Sequence, residues 1–379
     1  MATASLIKKD PRIVDTINKT ESYRVLRGRV NGLGYSPDAR LMPYLELAGF
    51  ESAALIRTFD LRYNLISALV ERWRPETHTF HLPCGECTVT LEDVALQLGL
   101  PIDGSPVTGV SVIAELAALC YSLLGASLGD DESNFSGGVL MPDANNNRVH
   151  LMYLPLLTDL HNVRSYSWGS AVLAMLYREL CRPADIGGCV ILLQSWALYR
   201  MSFLASVSHQ PYVYPLVNRW SIYPGITRSY TVPIYRLLIE QHAGERIIPS
   251  SAYIHSQLWY TSAPIISFNV VEWYHGDRVL RQFGCIQYIP DLPKEVEKVH
   301  GINKRGKHRM HWGVVHQRYI AVWDNRMSRR PRMDKSSDLQ PSPEYMQWYF
   351  SMGKPYLLGA QSTVVPPCSN LGHTSQWLI

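Results

Sequence analysis

The chain has 379 residues, 46% of them hydrophobic and 11% aromatic, with 36 Lys and Arg against 32 Asp and Glu for a net charge of +4. Length and apolar content suit a large buried core in one body or two intimate ones, and they exclude a mostly disordered, collagenous or disulfide-scaffold protein. No run of residues has the uninterrupted apolar length of a membrane span.

Taken in chain order, residues 1–39 read as an N-terminal segment, with Met1 to Lys19 expected to be flexible. Ile56, Phe59, Tyr63, Ile66, Val70 and Trp73 recur at steps of three and four, which predicts a helix over 55–74 that Pro75 stops. Thr79–Pro83 and Cys87–Thr90 are short strand-forming runs around Cys84-Gly85-Glu86, so a hairpin is expected near 79–90. Thr90 and Asp93 have the spacing of a capping box for a helix whose face is Leu91, Val94, Ala95 and Leu98. Gly99 is its natural left-handed terminator and Pro101 forbids continuation. The alanine and glycine spacing of 95–99 also fits a helix-turn-helix. Pro101, Gly104 and Pro106 then occupy the place of a recognition helix, and no Arg or Lys lies between Arg74 and Arg148, so structural hairpin plus helix is the reading preferred.

Further helices are predicted near 112–125, 167–182 and 232–242. Cys189–Ala205 carries Val190, Leu193, Ala197, Met201 and Leu204 as a core-facing stripe and reads as a buried helix. Ile265–Trp273 alternates as a strand, and Asp277 is placed to cap a short helix through Arg278, Leu280 and Phe283. No fixed-period repeat is present. Gly129–Asn147, Met327–Pro343 and everything after Leu358 are the other stretches expected to be flexible. The fold class is a predominantly α-helical (α+β) globular domain with a small β-hairpin near 79–90 and minor additional strands.

Charge is unevenly placed. Residues 1–200 hold 17 basic and 21 acidic side chains, while 201–379 hold 19 and 11, and Lys294–Lys335 alone holds 12 and 4. Two clusters stand out: Lys304, Arg305, Lys307 and Arg309, then Arg329, Arg330 and Arg332 after Arg326. Trp312, Tyr319 and Trp323 lie between them. Such a region reads as a solvated surface, a nuclear-import signal or a nucleic-acid contact, with the aromatics available for stacking on unpaired bases. The second cluster, in a Pro-containing flexible stretch, is the better import candidate.

The string HTFHLPCGECTVTLEDVALQLGLPIDGSPVTG at 78–109 resembles the signature of the plant mobile domain family, also called aminotransferase-like or maintenance-of-meristems-like. ALVERWRPETHTFHLP at 68–83, NRVHLMYLPLL at 147–157, WGSAVLAMLYRELCRPADIGGCVILLQSWAL at 168–198, VVEWYHGDRVLRQFG at 270–284, HGINKRGKH at 300–308 and EYMQWYF at 344–350 are similar to successive family blocks. The resemblance covers about 40–358, leaving 359–379 as a C-terminal tail. It implies a nuclear interaction module that supports transposon silencing, gene regulation and meristem or cell-division maintenance with a phosphatase-like partner. The alternative is a transposable-element-derived domain whose basic 294–335 region touches nucleic acid during mobility.

The residues supply no enzyme signature. Pyridoxal phosphate chemistry needs a Schiff-base lysine, and no lysine occurs from Thr20 through Pro293. Tyr274-His275-Gly276-Asp277-Arg278 carries phosphatase-like letters but is one fragment of a two-metal site, so His275 and Asp277 read as turn and cap residues. Neither a Gly-x-Ser-x-Gly elbow nor a Gly-rich phosphate loop appears. Cys84-x-x-Cys87 is half a zinc site, and His308, His311 and His316 lie among repelling cations, so no metal or cofactor is expected. Seven scattered cysteines and no secretory signal at the N-terminus suggest free thiols in a reducing compartment, and the resemblance implies that this compartment is the nucleus.

Overall fold

The structure, a computed structural model, describes residues 37–57, 59–110, 118–119, 121–122, 134–136, 148–181, 187–201, 203–205, 213–222, 230–241, 260–294, 310–335 and 340–353. Helix α1 (Met42–Ala48) leads to α2 (Tyr63–Val70), which is shorter than the apolar spacing predicts at both ends. The Arg57 N–H donates to Asn218 Oδ1 at 2.7 Å and the Arg62 N–H to Gln194 Oε1, so distant side chains take backbone donors that a longer helix would use. At the other end, β1 (Trp73–Arg74) is drawn into antiparallel pairing with β2 (Thr79–Leu82), Trp73 facing Phe80. Strand β2 pairs in turn with β3 (Gly85–Cys87). The expected hairpin is thus the larger part of a three-stranded sheet, and Trp73, assigned by its spacing to a helix, is a strand residue.

Helix α3 (Leu91–Leu98) forms as its ends dictate. The Asp93 N–H donates to Thr90 Oγ1 at 3.1 Å and the Thr90 N–H to Asp93 Oδ2 at 2.9 Å, the reciprocal capping box. Gly99 closes the helix at φ 66°, where an added Cβ would lie 2.3 Å from that of Ser52. Beyond it, 101–110 is not a recognition helix but a seam of single bridges. Ser105 pairs with Tyr166 and Val107 with Ser267, while Val110 pairs with His311. That excludes the helix-turn-helix reading at this position.

Strand β4 (Asn134–Ser136) pairs with β5 (Arg148–His150), placing Phe135 opposite Val149. The flexible stretch expected over 129–147 therefore contains a strand at 134–136. The helix expected near 112–125 is represented by helical residues 118–119 and 121–122; the rest of that range lies outside the described residues. After a 3₁₀ segment, Leu151–Leu157, comes α4 (Leu160–Val163), capped by Asp159. Helices α5 (Trp168–Leu180) and α6 (Val190–Arg200) are buried on almost every side, as interior helices are. The second stops at Arg200, short of the predicted Ala205, because Met201 leaves helical backbone geometry. Helix α7 (Arg219–Ile222) precedes α8 (Val232–Gln241), which lies where the pattern places it.

The strand expected at 265–273 is a hairpin of β6 (Ser262–Ser267) and β7 (Val270–His275). Its two-residue loop is Phe268-Asn269, and Phe268 takes φ 50°. Alternation hid the turn because the residue making it is apolar. The Phe268 ring is fully buried against Tyr153, and its N–H donates to Val107 O at 2.8 Å. A 3₁₀ segment, Gly276–Phe283, follows with His275 at the N-cap and no side-chain cap bond. Asp277 is therefore not the cap residue; it sits inside the first turn. Helices α9 (Trp312–Val315) and α10 (Gln317–Asp324), a 3₁₀ turn at Arg326–Arg329, α11 (Pro343–Trp348) and a π-helical segment, Tyr349–Gly353, complete the order of described elements.

Among the described residues the main hydrophobic core runs from Ala48 to Trp323, and Ile266 and Val271 form a small second cluster against Tyr319 and Ile320. At its centre the Trp73 ring meets Phe80 at 4.8 Å and Tyr177 at 5.2 Å, and Phe80 stacks on Trp196 at 5.3 Å. The C-terminal helix shuts the turn of the first sheet: Tyr345 Oη accepts from the Glu86 N–H at 3.2 Å and Tyr349 Oη donates to Leu82 O at 2.9 Å. The fold is mostly helical, with small antiparallel sheets inserted among the helices. Among the described residues, no helix is long and apolar enough to cross a membrane. Five described cysteines, at 84, 87, 181, 189 and 285, are free thiols.

Candidate functional site

Of the seven sequence-predicted contact residues, Lys304, Arg305, Lys307 and Arg309 lie outside the described residues. Arg329, Arg330 and Arg332 are described, and all three are exposed. They belong to a strap, 326–335, that is tied down at both ends instead of being the loose stretch expected over 327–343. At the first end the buried Arg326 pairs with Asp103, donates to Trp323 O at 2.9 Å and lies 4.3 Å over the Trp323 ring. At the other, the Ile286 N–H donates to Asp334 O at 2.8 Å, Tyr288 Oη donates to Asp334 Oδ2 at 2.5 Å, and Cys285 bridges to Lys335.

Between these anchors the guanidiniums rest on the body. Arg329 donates to Ser262 O at 3.3 Å, on the β6 edge, and lies 5.7 Å from the Trp273 ring centre. Arg332 lies 5.3 Å from Tyr288 and pairs with Asp334 at 2.8 Å. On α10, Arg318 stands 4.6 Å over Tyr319. The aromatics do not offer the faces that the sequence suggested. Trp312 is 0% and Trp323 1% exposed, and Tyr319 is half-buried beneath Arg318. The two tryptophans are core residues, so they present no platform for an unpaired base.

The second constellation was missed by sequence reasoning. Where the first sheet meets α5, β7 and the 3₁₀ segment after it, charged side chains are buried in mutual contact. Glu272 receives the Arg178 Nε–H on one oxygen, and its other oxygen lies 3.0 Å from His78 Nε2. His78 itself, at φ 51°, places Nδ1 2.9 Å from Trp273 O and stacks on Tyr177. Glu86 accepts from Arg278 at 2.9 and 3.1 Å and from Thr79 Oγ1 at 3.0 Å. Arg200 reaches Asp93 at 2.7 Å and Glu92 at 3.5 Å.

Burial dominates the titration of this seam. It raises the Glu86 carboxyl despite the opposing pull of Arg278, and it pushes Glu92 up to about 8 although Arg200 pulls the other way. His275 is held well below its ordinary range by burial and then by the Arg278 charge, so it is neutral at pH 7. Asp277 is raised by burial as well. Acid–base work requires a group free to reach a reacting atom. Here Glu272, Glu86 and Asp93 are occupied with Arg178, Arg278 and Arg200, contacts that join β7 to α5, β3 to the 3₁₀ segment and α3 to α6.

Signals for this seam were present in the chain: Glu272 breaks the apolar run of β7, and Arg178-Glu179 interrupts a helix that is otherwise interior. Single charges in interior elements mark buried pairs, but their partners lie some 90 to 200 residues away in sequence, 94 for Arg178 and Glu272 and 192 for Glu86 and Arg278. Cys87 is buried, and desolvation drives its thiol well above the ordinary range. His311 is exposed while His316 is buried and stacked on Trp312 at 5.4 Å; His308 lies outside the described residues. Among the described residues, no group of three or more His, Cys, Asp or Glu side chains is gathered to hold a metal.

The sequence profile of the plant mobile domain matches residues 49–139 and 133–350. Three curated proteins of Arabidopsis thaliana are similar to the chain. "Serine/threonine-protein phosphatase 7 long form homolog" is 37% identical over 76% of this chain and 27% of its own length. "Protein MAINTENANCE OF MERISTEMS" is 28% identical over 83% of this chain and 74% of its own, and "Protein MAIN-LIKE 2" 30% over 84% and 56%. The chain thus spans about a quarter of the first relative and between half and three quarters of the other two. No solved structure matches it.

Proposed function

The chain belongs to the plant mobile domain family, and from that premise we propose that it is a non-enzymatic interaction scaffold of the nucleus. In this reading it supports transposon silencing, gene regulation and meristem or cell-division maintenance together with a phosphatase-like protein. The observation that carries the scaffold reading is the seam: buried acids and bases that a catalyst would aim at a substrate are aimed at one another, Glu272 at Arg178, Glu86 at Arg278 and Asp93 at Arg200. Buried pairs of this kind hold elements in register more than they do work at a surface.

Names of the relatives point the same way. Two are named for meristem maintenance or likeness to it. The phosphatase name belongs to a protein of which the match occupies 27%, and the phosphatase-like partner of this reading rests on the family resemblance. Affinity purification of the full chain from plant nuclei tests the reading. Recovery of a phosphatase-like subunit is the expected result; absence of the chain from nuclei, or a nuclear preparation free of such a subunit, refutes it. The second reading, a transposable-element-derived domain that touches nucleic acid, is favoured by one observation, the exposed arginines of the strap.

A further inference from the structure

Residues 326–335 hold five basic side chains and one acidic one. Arg326 is spent on Asp103, and Asp334 is already engaged by Tyr288 and Arg332, so the outward charge of the strap is positive. A surface arginine ordinarily loses rotamer freedom when it grips an anion. Here part of that loss has been met in the folded chain: Arg329 is held by Ser262 O and the Trp273 face, and Arg332 by the Tyr288 face and Asp334. The Arg332 pair is 78% and 39% exposed, so solvent screens it and a stronger anion can displace the carboxylate.

We infer that this strap is a docking surface for the phosphate backbone of duplex nucleic acid, with Arg329, Arg330 and Arg332 as the phosphate contacts. Planar guanidiniums suit phosphate oxygens, and backbone contact needs no base recognition. Single strands fit less well, because among the described residues Trp312 and Trp323 are buried, Tyr319 is covered by Arg318 and the half-buried Tyr288 carries Arg332 over its ring. An import receptor fits less well too. It reads an extended peptide, whereas this backbone is tied to the body at Arg326 and at Asp334, and the receptor would have to break the Asp103, Ile286 and Tyr288 contacts first. The inference deepens the second reading above, which rests on the same arginines, and is independent of the scaffold reading.

The test is fluorescence anisotropy of the full chain with a labelled DNA duplex of about two helical turns, titrated at several salt concentrations. Three phosphate contacts give a slope of roughly −2.7 in log affinity against log salt, or roughly a 40-fold loss from 50 to 200 mM. The variant R329A/R330A/R332A, shown by its melting curve to be folded, is expected to lose that slope, and R329K/R330K/R332K to keep it with weaker affinity. Unchanged binding by the alanine variant, or tighter binding to a single strand of the same length, overturns the inference. So does an alanine variant that binds duplex normally but no longer enters nuclei, since the strap is then an import signal. A failed partner purification leaves this result untouched, so the two proposals fail separately.

Discussion

Arg278 and Glu86 are both fully buried and joined by two bonds of 2.9 and 3.1 Å, so Arg278→Met removes a charge and leaves a carboxylate stranded. Breaking one side of a buried pair costs about 3–5 kcal/mol, most of it the desolvation that the remaining charge no longer recovers. With an unfolding entropy near 2.1 cal/mol/K per residue, 379 residues give about 0.8 kcal/mol/K, and a 4 kcal/mol loss lowers Tm by about 5 °C. The Glu86 carboxyl is raised already, by burial first, and loss of the opposing Arg278 charge raises it further. A carboxyl whose folded pKa lies above its unfolded value keeps a proton that the unfolded chain gives up. Its stability contribution therefore falls as pH rises through the window above the ordinary 4.5. The deficit of R278M is expected to be largest at pH 7.5 and to shrink on acidification to pH 5, and R278M/E86Q should recover most of it. Thermal unfolding followed by circular dichroism at both pH values reads all three quantities. A double variant as unstable as R278M alone would show that lost packing, not the stranded charge, sets the cost.

The same linkage gives Glu92 a visible signature. Its carboxyl, pushed up to about 8 by burial, makes stability decline between about pH 4.5 and 8 by up to about 1.4 kcal/mol per unit. E92Q removes that slope, so its melting advantage over the parent should grow across this window; parallel Tm profiles rule the assignment out. Gly104 tests the backbone instead. It sits at φ 99°, and a Cβ there would meet Ser165 O at 2.1 Å, so Gly104→Ala is expected to cost about 1–3 kcal/mol and to expose the 101–110 seam to faster amide exchange. An alanine variant with parental melting and exchange contradicts the geometry.

Local features were legible because their causes are local. The Thr90–Asp93 box and the Gly99 stop need only side-chain chemistry within one helix, and they occur where the letters place them. Boundaries failed where a distant group intervened. The helix over 55–74 is cut to Tyr63–Val70 because Asn218 and Gln194 claim its upstream backbone and Phe80 claims Trp73. The Phe268-Asn269 turn was unreadable for a different reason: a buried apolar residue at φ 50° carries no turn chemistry, and only the fold pays for its strain.

The candidate site divides along the same line. Composition alone located the basic strap, since charge density is a property of sequence, but the state of its neighbours was not available from the letters. Trp312 and Trp323 are filled into the core, the second beneath Arg326, while Trp273 receives Arg329 across 56 residues of chain. Spacing suggested aromatic platforms for bases; packing turns the tryptophans inward and leaves guanidiniums outside. In the proposed docking, a surface with ordered cations and no ring in the strap would favour backbone charge over base identity. In the docking reading proposed above, partner discrimination comes from shape, salt and the register that the Arg326 and Asp334 anchors impose, and substitution of the buried Arg326 should loosen the strap without changing its outward charge.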